Sequence, residues 1–578
     1  MFWHNFSNFV TNCYILKLIY TLILIVFSHC IFAQKQYPQN YFDAPLKIPV
    51  VLAGTFGELR SNHFHSGIDI KTQGKEGIPL YAPADGFVAR IKVAQYGFGK
   101  ALYIEHPNGY TTVYAHLKKF APSIETYVKN VQYEKKSYYT GNLFPKEDKF
   151  PVKKGELIGF SGDTGSSGGP HLHYEIRDTE TEHIINPLLF GLKVKDTQKP
   201  TIKKLVAFPL NEDSEINGFH KKTTLKLTPE GKGVYKADAT KASGIIGLGI
   251  EAFDRLDGAY NKNGLYSLEM FVNNEKVYHH DVETFSFAES KYINLFIDFE
   301  LYGTSKKRIQ KTHKVTENKL SIYSDLINDG NITIHPNENY AIRIVAKDYA
   351  GNSATIKLPI RGVESNLSYT KKDTTAYKIE AHKFIRFTEQ HVSVAFPKNT
   401  FYKDCFIDFS VVDDIVTVHK PTIPLDKKYT LTFNTGNYNI EENQELYIAN
   451  ITNPKRPKYV NTKKKGDKLY TTTKALGTYT VKRDSIPPTI SLVNFKENQS
   501  ISYLKELKVK IKDKESGIGN FKGFINDEWI LLEYNHKKGI LTYDFSDKKL
   551  VGNKHIFKLV VSDNVNNTKS ITTTFFRK

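Results

Sequence analysis

The stretch "GGPHLHYEIRD", Gly168 to Asp178, decides how this chain is read. Along an extended strand side chains alternate between the two faces, so residues two apart share one. His171 and His173 therefore point the same way, while Leu172 and Tyr174 point the other. A lone HxH pair is more often a surface or packing feature than a site. Its meaning depends on what else in the chain can meet it.

Three more candidates precede it. "GTFGELRSNHFHSGIDIKT" holds His65 and Asp69, four apart, with Gly67 between them marking a bend rather than a straight strand. "GYTTVYAHLKKF" holds His116. Imidazole nitrogens and a carboxylate oxygen are suitable ligands for Zn²⁺, and a catalytic zinc keeps three protein ligands and one open position. Four histidines and one aspartate supply three ligands and leave two imidazoles over. Spare imidazoles beside a metal move protons or stabilise an oxyanion. His63 and His106 fit no such role; His106 leads into "PNG", a hairpin reversal at Asn108-Gly109. The glycines of "SGDTGSSGG" lack the lysine and following helix of a phosphate loop, so they read as tight turns beside the HxH strand.

The succession H-x-x-x-D, Y-A-H-L and G-P-H-L-H-Y-E-I-R resembles the M23 family of zinc metallopeptidases, the lysostaphin and LytM group. "GIPLYAPADGFVARI", "YGFGKALYIEHPNGYTTVYAHL" and "VKKGELIGFSGDTGSSGGPHLHYEIRD" follow that family's order over residues 50–190. The resemblance implies a small antiparallel β domain with one Zn²⁺ per chain, held by His65, Asp69 and His173. His116 and His171 then match the family's two catalytic histidines that do not bind metal. It further implies peptide bonds of peptidoglycan stems or cross-bridges as substrate. One departure stands out: "KKFAPSIETYVKNVQYEKKSYYTGNLFPKEDKF" inserts about 25 residues near 121–150, where the family passes quickly from Y-A-H-L to V-K-K-G. Two competing readings stay open. Some proteins of this kind have lost ligands and activate cell-wall amidases instead; all five positions are kept here. The chain could also be a wall-associated scaffold or adhesion protein, with its other units doing the binding.

The remainder of the chain supports that setting. At 578 residues it is too long for one core, and three to five domains are expected. Apolar residues make up 40% and aromatics 13%, enough for packed cores, and the wealth of Tyr, Phe, Thr, Val and Ile favours strands. No long stretch shows a clean helical period. The fold class expected is mainly β, an M23-like domain followed by β-sandwich modules. The formal charge of +19 suits an anionic wall, but lysines at alternate positions, as in "ELKVKIKDKE", also blunt exposed strand edges. No aromatic-plus-basic pattern points to nucleic acid. Lys17, the apolar run Leu18–Phe27 and Ala33 resemble a secretory signal peptide over 1–33, implying an exported, periplasmic or envelope-associated protein. Its removal would leave Cys405 as the one thiol, with no intramolecular disulfide.

An internal repeat orders the second half. "KDTQKPTI" and "RDSIPPTI" (195–202 and 483–490) read as stiff linkers entering a first strand. "IVAKDYAGNSATIKLPI" and "LVVSDNVNNTKSITTTF" read as closing hairpins, and "SGIIGLGIEAFD" is matched to "KVKIKDKESGIGNF" between them. The expected division is a peptidase unit at 35–195, immunoglobulin-like sandwiches at 197–362 and 484–578, and a β unit of uncertain type at 363–483. The first sandwich is long for its type, so an insertion near 300–335 is expected. No clustered ligands are expected within 197–578; His279 and His280 read as surface or packing residues. A monomer is expected, with a wall or envelope partner for the sandwich modules.

Overall fold

The HxH strand forms as its alternation predicts. In a computed structural model describing residues 36–365, 374–436 and 444–578, Leu172, Tyr174 and Ile176 are buried in the core. His171, His173, Glu175 and Arg177 occupy the opposite face, where the Glu175 carboxylate accepts from both His173 and Arg177. Each fully buried aliphatic side chain contributes roughly 1.5–3 kcal/mol relative to exposure, which fixes the strand's register against a one-residue slip. The leader read at 1–33, with Cys13 and Cys30, lies outside the described residues.

The first unit is built from β1 (Leu52–Gly54), β2 (Ile68–Lys71), β3 (Pro79–Tyr81), β4 (Gly86–Val93), β5 (Lys100–Glu105), β6 (Tyr110–Ala115), β7 (Lys119–Phe120), helix α1 (Pro122–Lys135), β8 (Gly141–Leu143), β9 (Pro151–Val152), β10 (Leu157–Phe160), β11 (His171–Asp178) and β12 (Ile184–Ile185). Its main antiparallel sheet runs β1-β2-β11-β6-β5-β4-β8, with β9 added at β4 and β12 at β11; β3-β10-β7 form a second sheet. Register places Asp69 of β2 opposite His173 on one side and Ala115 of β6 opposite it on the other. His116 follows Ala115 directly, so three distant segments deliver side chains to one spot.

Helix α1 corrects the expectation of no helical period. Pro122 opens it, and Ile124, Val128 and Gln132 form its buried stripe, four residues apart. It occupies much of the 121–150 insertion. It lies against the last unit of the chain: the Lys129 ammonium pairs with Asp547, and the Tyr133 ring meets Trp529 edge-on at 5.4 Å.

Three further cores follow, over 202–360, 379–479 and 495–575. The last is enclosed by a four-stranded and a five-stranded sheet, a β-sandwich. The 202–360 unit differs from the expected pair of separate sheets. Strand Thr240–Phe253 is shared: its start pairs with Gly362, Arg361 and Ile360, and its end with Thr201–Pro209. Gly244, at φ 68°, allows the change of direction. A segment that begins before the insertion expected near 300–335, and overlaps it, packs on the first unit. Val282, Phe285, Ile293, Phe296, Ile297, Leu320 and Ile322 join the core of the first unit, and Thr284–Phe285 adds a strand to β12. The first unit is thus completed by residues from the second.

Candidate metal centre

Each imidazole at the site has one nitrogen committed to a fixed acceptor, which settles what the other nitrogen can do. A carbonyl oxygen can only accept, so a ring nitrogen beside one carries the hydrogen. His65 Nδ1 donates to Thr55 O at 2.7 Å, His116 Nδ1 to Thr164 O at 2.8 Å, and His171 Nδ1 to Gly169 O at 2.8 Å. All three turn Nε2 toward the site. His173 is held the other way round. Its Nε2 donates to Glu175 Oε1 at 2.9 Å, leaving Nδ1 inward. Burial alone would raise Glu175, but Arg177 and His173 outweigh it and hold the carboxyl at about 2, so it accepts only.

Asp69 completes the arrangement. Arg60 Nη2 takes its Oδ2 at 3.2 Å, leaving Oδ1 for the imidazoles. His65 Nε2 lies 3.0 Å from Asp69 Oδ1, His173 Nδ1 also 3.0 Å, and the two ring nitrogens are 3.1 Å apart. Three acceptor atoms thus form a nearly equilateral triangle. Such a triangle is close to one face of a tetrahedron around an ion with bonds of about 2 Å. Burial opposes charge on Asp69, but His65 and the bonds from His171 and His173 win, and its carboxyl lies well below the usual range. Burial likewise disfavours a charged His173, yet Asp69 and Glu175 raise it to about 9. The point between these atoms attracts a positive charge, a proton or a metal ion.

The remaining histidines stand beside the triangle. His171 Nε2 is 3.4 Å from Asp69 Oδ1. The His116 ring meets that of His171 edge-on at 4.9 Å and that of His173 at 5.9 Å. Burial, then His173 and His171, lower His116 to about 3, so it is a neutral imidazole in ordinary buffers. Its backbone sits at φ 63°, a strained conformation for a residue with a side chain. Ala101, Tyr103, Val113 and Ala115 form a small apolar floor under this face, and Phe98 stacks obliquely on His173 at 5.1 Å.

All five residues singled out in the sequence are therefore brought together. His63, exposed and bonded to Ser61 O, and His106, bonded to Asp85 O and Thr112, stand apart from the site. What the sequence reading missed is the support: Glu175, Arg177, Arg60 and the carbonyls of Thr55, Thr164 and Gly169. Glu175 and Arg177 were legible, because they continue the period of two from His171 and His173. The carbonyl anchors and Arg60 depend on loop paths that no spacing encodes.

A β sheet presenting two imidazole lone pairs and a carboxylate, flanked by two further imidazoles, is a donor set able to hold a metal ion. Comparison with known proteins adds a family likeness. Residues 63–133 and 137–187 match peptidase family M23. Residues 376–484 match a Zu5-like domain, which gives a type to the third unit. Among curated proteins, the DD-carboxypeptidase/endopeptidase Mpg of Neisseria meningitidis serogroup B is 38% identical over 119 residues, 21% of either chain. The peptidoglycan DD-endopeptidase ShyA of Vibrio cholerae is 34% identical over 112 residues, 19% of this chain and 20% of its own. The matches thus span about a fifth of these relatives' length. Among solved structures, a zinc-containing peptidase from Vibrio cholerae aligns over 24% of this chain and 37% of its own at 28% identity, with a TM-score of 0.18.

Proposed function

We propose that this protein is an exported zinc endopeptidase that cuts peptide bonds in peptidoglycan stem or cross-bridge peptides. The observation that carries the reading is the triangle of His65 Nε2, Asp69 Oδ1 and His173 Nδ1. Three acceptors face one point with their hydrogens committed elsewhere, and that calls for a cation. The mixed nitrogen and oxygen set suits zinc. Zinc held there supplies Lewis acidity toward a peptide carbonyl and acidifies water.

The protein's own groups do the rest. His65, Asp69 and His173 hold the ion, and Glu175 and Arg60 fix the donor atoms that face it. His116 and His171 divide the proton work. One accepts a proton from the attacking water at Nε2 and passes it to the leaving amine; the other stabilises the carbonyl oxygen as it gains charge, for which its Nε2 must first be protonated, since its Nδ1 hydrogen is already committed. Thr164 O and Gly169 O hold both rings in the tautomer that leaves Nε2 free. On this reading 35–195 is the peptidase unit, and the later β units position it at an envelope partner as a monomer. The relatives' printed activities on peptidoglycan, and the positive charge of the chain, support the substrate class.

The test is digestion of purified sacculi by the full chain, with mass spectrometry of the released fragments. Stem or cross-bridge peptides with newly exposed amine and carboxyl ends are expected, and none from His173→Ala. Zinc-loaded protein that releases no peptide fragment would overturn the reading.

A further inference from the structure

The internal repeat carries a feature outside the metallopeptidase site. Asp196 in "KDTQKPTI", Asp254 ending "GIEAFD" and Asp348 in "KDYAGN" come from three separate segments, yet each offers a carboxylate oxygen within 4.8 Å of the other two. Asp484, Asp513 and Asp563 do the same in the last unit. This revises two expectations. Ligand-type residues do cluster beyond residue 195, and Asp254 corresponds to Asp513, so the two Ser-Gly pairs are not equivalent. The surrounding bonds repeat too. Asn352 donates from its backbone and side chain to Asp348 at 2.8 and 2.9 Å, and reaches Asp196 O at 3.4 Å. Asn567 donates likewise to Asp563 at 2.9 and 2.8 Å, and to Asp484 O at 2.7 Å.

Among the described residues, no ion pair is formed with the first triad. Asp254 is only 2% exposed, and its Oδ1 has no hydrogen-bond partner. Asn263, across an isolated antiparallel bridge from it, is equally buried with neither amide atom bonded. Leaving such groups unsatisfied in the interior destabilises the fold, more so when they are charged. Burial, then Asp196 and Asp348, push Asp254 up to about 8. Burial raises Asp196 to about 6, and Asp348 and Asp257 add to it. A cavity of about 30 Å³ is lined by all three carboxylates together with Thr55 and Phe56 of the first unit. The triad therefore lies where the metallopeptidase domain meets the second unit, beside the residue whose carbonyl anchors His65.

We propose that Asp196, Asp254 and Asp348 bind a calcium ion that pins the second unit to the metallopeptidase domain. The donors are all carboxylate oxygens, which a bound cation would hold ionised, come from loops and strand ends, and include no nitrogen or sulfur that would favour zinc. The unbonded Oδ1 of Asp254 is the coordination position that the protein leaves open.

The test uses the zinc-loaded full chain, freed of calcium and titrated with calcium chloride by calorimetry, with zinc content followed in the same samples. Saturable binding is expected with a dissociation constant at or below about 1 mM, the weak end for extracellular calcium modules. Asp254→Asn should bind one calcium fewer per chain with its zinc unchanged. Should that variant fail to fold, Asp196→Asn, at the half-buried edge of the triad, should show the same loss. Wild-type protein that binds no calcium in this range, or a folded triad variant that binds as many ions as wild type, would overturn the proposal.

Discussion

At the scale of single residues, the site is a matter of which nitrogen is tied down. His173→Ala removes a corner of the triangle and should abolish zinc binding and hydrolysis together. His116→Ala leaves the triangle intact, so zinc content should hold while kcat falls roughly 10²–10⁴-fold, the usual contribution of a positioned acid or base. Glu175→Gln is subtler. It removes the charge that orients His173 and should weaken zinc affinity about 10–100-fold, measured by competition with a chromogenic chelator. It also leaves the buried Arg177 guanidinium with Glu182, at 3.1 Å, as its remaining ion pair, so a lower urea midpoint should accompany the weaker affinity. The five primary residues were legible because strand periodicity and ordered motifs expose them. Thr55, Thr164 and Gly169 were not, because a backbone carbonyl is available at every position and only the fold selects three.

At the scale of elements, the glycine-rich loop before β11 serves close packing. A Cβ on Gly162 would lie 2.4 Å from Lys118 N and 2.7 Å from His116 O, and one on Gly165 would lie 2.4 Å from Gly99 N. Gly162→Ala should therefore push the His116 segment aside, and lower kcat more than it lowers zinc content. The expectation of tight turns was right about location, but the neighbouring backbone that demands glycine comes from 97–99 and 116–118, out of reach of local reasoning. Helix α1 was missed for a related reason. Its buried stripe is three residues long and diluted by Tyr and Lys, so the pattern becomes clear only with the packing partner in view. Lys100 is 3% exposed and its ammonium pairs with Glu533 of the last sandwich at 2.7 Å. Glu533→Ala should destabilise the chain by roughly 1–3 kcal/mol, less than a fully buried pair would lose because Glu533 is partly solvated. A denaturant midpoint measured on the full chain checks this.

At the scale of the whole molecule, the units are not beads on a string. The first core borrows Phe285, Phe296 and Ile322 from the second unit, and Lys537 of the last unit reaches Asp163 at 2.7 Å beside the His116 anchor. Linear sequence suggested a cut near residue 195 because the linker motif is there; the packing crosses it. A shared response to acid should follow. Burial lowers His106 to about 4 and His116, His280 and His313 to about 3, so the native chain holds four neutral imidazoles that the unfolded chain would protonate below about 6.5. Their contribution is fully present above that pH. It is lost as pH falls toward 3–4, by about 1.4 kcal/mol per pH unit for each group. Carboxyls raised by burial work in the opposite direction, Asp254 to about 8 and Asp196 to about 6, with Glu58, Asp281 and Asp348 also raised. The histidine share is read by substitution: between pH 6.5 and 4 the melting temperature of folded His280→Phe and His313→Phe should fall less than that of the wild type, and an unchanged difference across that range would contradict the burial of these rings.

The most direct measurement is the zinc content of the purified full chain after zinc loading and dialysis, set beside His173→Ala prepared in parallel. One zinc per chain in the wild type and almost none in the variant is the predicted result. A wild-type chain that retains no zinc, or a variant that retains as much, would contradict the coordination triangle on which the enzyme reading rests.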